Sequence, residues 1–469
     1  MDLFRRKSIE GAADLKPEHR LKPTLGWPHL VALGVGAIVG TGILTLIGVG
    51  AAKAGPAVIL SFAIAGLICA AAALCYAEMA TLIPASGSAY TYSYVALGEL
   101  LAWIVGWSLI LEYSLVVSAV AVGWSGYAVG FLGDLGLTLP QAVAAGPDAA
   151  GGVVNLPAIL IIAVVAGLLV LGTRESANLN AILVLVKIAA LIVFVAVALP
   201  YFDQANLQPF SPFGFSKSGP PGAEVGVMAA AAIIFFAFYG FDAIATAAEE
   251  AKNPGRDLAI GIVGSMLACV VIYMAVAVAA LGALAYTRYA DSPEPLALIL
   301  RELGQPGAAG YLAASAVVAL PTVILAFFYG QSRIFFAMAR DGLLPRGLAR
   351  LSGRGAPVRI TLFTAVVVGI LAGLIPLDEL AALANAGTLA AFIAVATATM
   401  VLRRRDPDRP RRFRTPLVWI VAPFAILGCA YLFYSLPQQT QLWFLLWNIA
   451  GLVIYLAFAG RRRPANASA

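Results

Sequence analysis

The sequence predicts an all-α integral membrane protein: twelve transmembrane helices, ten of them in a 5+5 inverted repeat with broken helices 1 and 6, plus two C-terminal helices. Three observations predict it. Of the 469 residues, 61% are apolar or aromatic and 12% are charged, and the mean hydropathy is +0.91, beyond what the core of a water-soluble domain uses. Apolar runs of about 18 residues or more, the length that crosses a hydrocarbon layer, begin near Trp27, Pro56, Glu99, Leu156, Ala177, Gly222, Leu258, Ala309, Val358, Asp378, Leu417 and Gln441. The first and sixth runs are weakened in their middles, by GAIVGTGIL at Gly36–Leu44 and by FFAFYGFD at Phe235–Asp242. Each weak run opens a set of five, and because five is odd the second set starts on the opposite side of the membrane, the arrangement of an inverted repeat.

The segments follow in order. Residues 1–25 are charged and lack the short apolar core and cleavage site of a signal peptide, so they read as a retained cytoplasmic tail. Residues 26–202 carry helices 1–5, residues 222–403 carry helices 6–10, residues 415–460 carry helices 11–12, and residues 461–469 form a second cytoplasmic tail. Orientation rests on basic residues. Arg5, Arg6, Lys7, Lys16, Arg20, Lys22, Arg174, Lys252, Arg256 and the arginine-rich stretches 333–359, 403–414 and 461–463 fall on the side of the N-terminus, against Lys53, Lys217, Arg288 and Arg301 opposite. Both termini are therefore expected in the cytoplasm. The net charge of +6 then reflects topology and contact with anionic membrane lipid, and no soluble basic face is left for nucleic acid.

The weak points have a chemical meaning. In hydrocarbon an unpaired backbone group costs several kcal/mol, so irregular backbone persists only where it lines a cavity or meets a ligand. Unwinding frees N–H groups at the start of one half-helix and C=O groups at the end of the other. Together these suit a carboxylate and an ammonium a few ångströms apart, the main chain of an amino acid. Glycines spaced like Gly36 and Gly40 also serve close helix packing, and the first stretch alone leaves both readings open.

Charges inside the runs are few. Glu112 shares a small, polar helical stripe with Ser108, Ala119 and Gly123, so it faces the bundle interior, either as a protonated packing group or as a proton carrier or pocket wall. Asp242, just after Gly240, is placed to cap the second half-helix. Glu78, Glu249 and Glu250 lie near cytoplasmic helix ends, solvated, paired, or part of an inner gate with Arg333 or Arg340. The tyrosines of SAYTYSY suit an interfacial anchor. Cys69, Cys75, Cys269 and Cys429 sit in apolar runs as small hydrophobes, and no disulfide or metal pattern emerges. His19 in the tail and His29 at the mouth of the first run are the only histidines, so the groups a membrane-embedded enzyme would need are lacking.

The blocks GAIVGTGI, CYAEMATLIPASGSAYTYSY, LEY, FDAIATAAEEAKNPGRD and GQSRIFFAMARDGLLP, in this order between about Gly26 and Leu456, resemble the cationic amino acid transporter branch of the amino acid-polyamine-organocation superfamily. The resemblance implies a LeuT-like fold with a central amino acid site. The substrate carboxylate would meet Gly40, Thr41 and Gly42, its amine would meet carbonyls near Ile38, Phe236, Ala237 and Tyr239, and Phe236 would close over the site as a lid. It also implies that the ammonium of Lys187 takes the place sodium holds in related carriers, bridging helix 5 to the broken helix 1. By depth alone, roughly 10 Å at 1.5 Å per residue, that lysine could equally snorkel to the headgroups.

These readings converge on a proton-coupled symporter that imports L-amino acids by alternating access, with no cofactor and no sodium requirement. Burial would tune Lys187 for proton coupling. Phe327 and Phe328 would shorten the side-chain end of the pocket and favour small neutral substrates such as alanine. Glu112 is the one candidate partner for a cationic side chain. An amino acid exchanger, a carrier of arginine or lysine, and a non-transporting amino acid sensor remain as alternatives, and a small membrane partner stays open. The chain lacks the two extra spans of larger animal members, which points to a compact bacterial-type carrier of the plasma membrane.

Overall fold

A computed structural model of the protein describes residues 5–9, 24–85, 87–171, 177–345 and 358–459. His19, Lys16, Arg20, Lys22, Arg174, Arg346, Arg350, Arg354, Arg461, Arg462, Arg463 and the side chain of Glu249 lie outside the described residues. Among the described residues the regular structure is helical, with two isolated bridges, Leu25–Ala251 and Ser218–Val225, and no strands. Nine helices in this set are long and apolar enough to cross a membrane, and Trp27–Ile38, Leu156–Leu171 and Val358–Leu374 are shorter apolar helices. The chain is a multi-pass membrane protein.

Side-chain placement shows the solvent for which it is built. On the helix Val418–Ser435, Ile420, Phe424, Leu427, Tyr431 and Tyr434 point outward at helical spacing, while Ala422, Ala425, Cys429 and Leu432 are buried. An outward stripe of that kind is an aggregation liability in water and a matched surface in lipid. The stretch Val227–Thr246, by contrast, is enclosed on all sides.

Packing sorts the helices into two groups. Pro254–Ala283 lies along Trp27–Ile38 and Val58–Leu82, and Val227–Ile234 packs on the latter. In the other group Glu99–Asp134 is the hub, running along Pro306–Arg340 and Leu377–Arg405 and touching Leu156–Leu171 and Val358–Leu374. Gly387 makes the hub contact close, since a Cβ there would stand 3.0 Å from the Ser108 carbonyl oxygen.

Both weak runs are broken. The first stops at Ile38, passes through extended backbone at Val39 and Gly40, and resumes as Thr41–Leu44 and Leu46–Ala54. The second runs from Val227–Ile234 through a short 3-10 turn at Phe235–Ala237 to Asp242–Thr246. Gly240 between them has φ +118°, a conformation that costs a residue with a Cβ several times more than glycine.

One expectation is corrected. The tyrosines of SAYTYSY do not face the membrane interface: Tyr90, Tyr92 and Tyr94 are buried in the helix Ser88–Ala96. Tyr90 donates to Asp341 at 2.9 Å and Tyr94 to Glu99 at 2.8 Å. A buried phenol is satisfied by a carboxylate as well as by interfacial water, so composition alone did not separate the two.

Candidate substrate site

The two breaks meet. A Cβ on Gly240 would stand 2.9 Å from the Ala37 carbonyl carbon, and one on Gly42 would stand 2.3 Å from the Ala237 Cα. Only glycine at both positions lets irregular backbone touch irregular backbone. Between the breaks lies a small cavity, lined by Ala37, Ile38, Gly40, Thr41, Gly42, Val116, Val120, Phe236, Tyr239, Val323 and Phe327.

The cavity's polar groups are backbone N–H and C=O groups together with the hydroxyls of Thr41 and Tyr239, the latter buried without a hydrogen-bond partner among the described residues. At the start of the second half-helix, the N–H groups of Gly40, Thr41 and Gly42 have no partner among the described residues. The Thr41 hydroxyl stands 3.5 Å from the Val120 carbonyl, and Gly123 leaves room for the Thr41 side chain, since a Cβ there would be 2.2 Å from its Cγ2. At the end of the first half-helix, the Ile38 carbonyl accepts from the Tyr273 hydroxyl at 2.7 Å. Such a terminus concentrates positive potential where the donors are free and negative potential where the carbonyls end.

Lys187 stands behind the first break. It is 4% exposed, and its Nζ donates to the Gly36 carbonyl at 2.9 Å and to the Thr322 hydroxyl at 3.2 Å. It does not reach out to the headgroups, and its ammonium ties the helix Ala177–Ala198 to the broken helix and to Pro306–Arg340. A second small cavity adjoins it, bounded by Val39, Leu44, Leu191, Ser315 and Leu320 among others.

The other expected residues divide. Phe236 and Phe327 face the cavity, and Tyr239 packs against both, with ring centroids at 5.1 and 6.3 Å. Ala237 forms the contact with Gly42 instead of lining the space. Phe328 is buried but does not line it, because successive residues of a helix point about 100° apart. Glu112 is one helical turn below Val116, and both its carboxyl oxygens are buried without a hydrogen-bond partner among the described residues. Neighbouring Thr388 spends its hydroxyl on the Ala384 carbonyl, 3.2 Å away. Asp242 accepts from the Gly240 N–H at 3.1 Å and from the Tyr113 hydroxyl at 2.8 Å. It stabilises the loop just before its helix, and no side chain caps that helix at its own N-cap, Phe241.

At the proposed cytoplasmic end, Arg333 pairs with Glu250 at 2.7 Å and donates to the Thr246 carbonyl at 3.0 Å, joining the two helix groups, while Arg340 lies over the Phe336 ring. Glu78 is held by Arg403 at 2.6 Å and Arg411 at 3.1 Å. Val116, Val120, Val323 and Tyr273 were not foreseen as site residues. The valines at 116 and 120 extend the Glu112 stripe by one and two turns, which is the signal that finds them.

The fold and this site define a class: a helical membrane protein with a small cavity, part backbone and part apolar side chain, at the junction of two broken helices. The chain belongs to the amino acid permease family, which matches residues 25–458. It is 45% identical to the branched-chain amino acid permease BcaP of Bacillus subtilis over 469 residues, 99% of each chain. It is 41% identical to the methylthioribose transporter of the same organism, again over 99% of each chain. The vacuolar cationic amino acid transporter 2 of Arabidopsis thaliana is 39% identical over 87% of this chain and 64% of its own length. These relatives are transporters, and the chain is not an enzyme.

Proposed function

We propose that the protein is a secondary transporter that imports a neutral L-amino acid with an aliphatic side chain, coupled to protons. The observation that carries this is the set of N–H groups at Gly40, Thr41 and Gly42, without a partner among the described residues, opening on a cavity whose other walls are mostly apolar side chains. The donors suit a carboxylate, carbonyls at the facing helix ends suit an amine, and valines with Phe327 leave the remaining space to a hydrocarbon side chain. Among the described residues no carboxylate lines the cavity to meet a guanidinium or an ammonium. Alanine fits this description, and so do the branched-chain substrates in the name of the Bacillus subtilis relative. The methylthioribose relative makes the carboxylate requirement worth testing directly.

In this reading the nine long and three short helices make twelve spans, 26–202 and 222–403 forming the inverted repeat and 415–460 the last two helices. Both termini face the cytoplasm and the plasma membrane is the site of action. The group containing Trp27–Ile38, Val58–Leu82, Val227–Thr246 and Pro254–Ala283 rocks against the group around Glu99–Asp134. Lys187, fixed to the Gly36 carbonyl, stands in for a bound cation, so its protonation couples the proton gradient to closure of the site. Glu112, buried one helical turn from Val116 of the cavity wall, is a second proton carrier.

The test is uptake of labelled alanine and leucine into proteoliposomes under an inward proton gradient, a sodium gradient, or neither, with excess unlabelled arginine or methylthioribose. Accumulation driven by protons alone and inhibited by neither competitor is the expected result. A sodium requirement, or inhibition by arginine, overturns it. Uptake seen only into vesicles preloaded with amino acid identifies an exchanger.

A further inference from the structure

The connection between the helices Leu377–Arg405 and Val418–Ser435 carries more arginines than acidic residues. Arg403 and Arg411 are both spent on the single buried carboxylate of Glu78, and the Thr415 N–H, 2.8 Å away, also donates to it. Arg405 donates to the Val95 carbonyl and lies 3.5 Å from Asp406. Burial lowers the pKa of Arg411; Glu78 opposes this, and the positive charges of Arg403 and Arg414 lower it further. Asp406 and Asp408 are the other acidic groups of this loop, against Arg404, Arg409, Arg412 and Arg414.

Two features give this excess a direction. The guanidinium of exposed Arg404 lies 5.1 Å from the ring centroid of Trp419, a cation–π contact made by the face of the group, while its N–H groups are what would donate to a phosphate. Directly along the same helix run the outward residues Trp419, Ile420, Phe424 and Leu427, the lipid-facing stripe described above. Arg412 and Arg414, six and four residues before Val418, are exposed on this connection, the basic rim ahead of the stripe, and the Arg412 side chain rests against Gly255 at the start of Pro254–Ala283.

We propose that this rim is a binding site for the headgroup of an anionic phospholipid, its phosphate held by Arg404, Arg412 and Arg414 and an acyl chain lying along Trp419, Ile420 and Phe424. A soluble acidic partner would use the arginines and leave the apolar stripe unused; a lipid uses both. Because the loop also holds Glu78 and abuts Gly255, the lipid would fasten the end of one helix group to the other. The site stands on this geometry alone and does not depend on what the protein carries.

The test uses the full chain purified in detergent. Retention of phosphatidylglycerol and phosphatidylcholine, offered in equal amounts, is measured by native mass spectrometry, and melting temperature is followed with each lipid and with glycerol phosphate. The wild type is expected to retain phosphatidylglycerol selectively and to melt higher with it. The variant Arg404→Gln/Arg412→Gln/Arg414→Gln should bind it roughly a hundredfold more weakly, and Arg414→Gln alone about fivefold more weakly, at about one arginine's contribution each. Arg288→Gln, at the far end of Pro254–Ala283, should leave retention unchanged. Equal retention of the two lipids by the wild type, or selectivity surviving in both rim variants, overturns the site. Equal stabilisation by glycerol phosphate overturns the lipid assignment in favour of a soluble anion.

Discussion

Gly42 and Ala237 are in backbone contact: a Cβ added to Gly42 would lie 2.3 Å from the Ala237 Cα and 3.0 Å from its N. The gap that would bind substrate is set by this contact, since the two half-helices cannot separate by a methyl group without moving the N–H groups of Gly40 to Gly42. Gly42→Ala is therefore expected to lower substrate affinity by about tenfold or more, equivalent to ~1.4 kcal/mol. Gly167→Ala, where a Cβ meets nothing within 4 Å, should bind normally. Scintillation-proximity binding on the two purified variants checks the contrast, and equal affinities would sink it.

Phe327 and Phe328 should separate by phenotype. Phe327 closes the cavity and packs 5.2 Å from the Tyr113 ring, so Phe327→Ala lengthens the pocket and admits longer side chains such as methionine or phenylalanine. Phe328 is buried away from it. Phe328→Ala should leave the substrate order unchanged and destabilise the fold, by roughly 3–5 kcal/mol if the cavity does not collapse. Competition profiles and melting temperatures together read both arms.

Lys187→Met removes the ammonium that bonds the Gly36 carbonyl and Thr322. If protonation of this group drives closure, wild-type uptake is fastest in acid and declines as pH rises, whereas the variant is slow and pH-independent. Binding measured without a gradient should persist. A pH profile parallel to wild type in Lys187→Met would clear the lysine of this role.

The Arg333–Glu250 pair spans the two helix groups at 2.7 Å, with both side chains partly shielded. Glu250→Gln weakens it, which should favour opening at that end. In a background lacking the four native cysteines, a cysteine at buried Thr246 should react faster with a membrane-impermeant maleimide applied from the cytoplasmic side when Glu250→Gln is present. Unchanged reactivity would remove the pair as a gate.

Much of the fold was legible because its signals are local. The apolar run starting at Leu417 became a helix from Val418, and the run at Asp378 a helix from Leu377, since about 18 apolar residues have few alternatives in hydrocarbon. The break at Gly40 announced itself as glycine and threonine inside such a run. The tyrosines of SAYTYSY were misjudged because their partners, Asp341 for Tyr90 and Glu99 for Tyr94, include one carboxylate some 250 positions away in sequence, and no local pattern encodes that pairing.

Run length and backbone propensity act over a few turns, so the residues alone make the chain helical, place it in a membrane and interrupt its first and sixth apolar runs. Tertiary structure alone decided that the two breaks touch through Gly42 and Gly240, that Val116, Val120 and Val323 wall the cavity, that Lys187 bonds the Gly36 carbonyl, and that Phe327 faces the site while Phe328 does not. Those facts depend on how helices far apart in the chain are rotated and seated against one another, and that is settled by the sum of many packing contacts and not by any short stretch of residues.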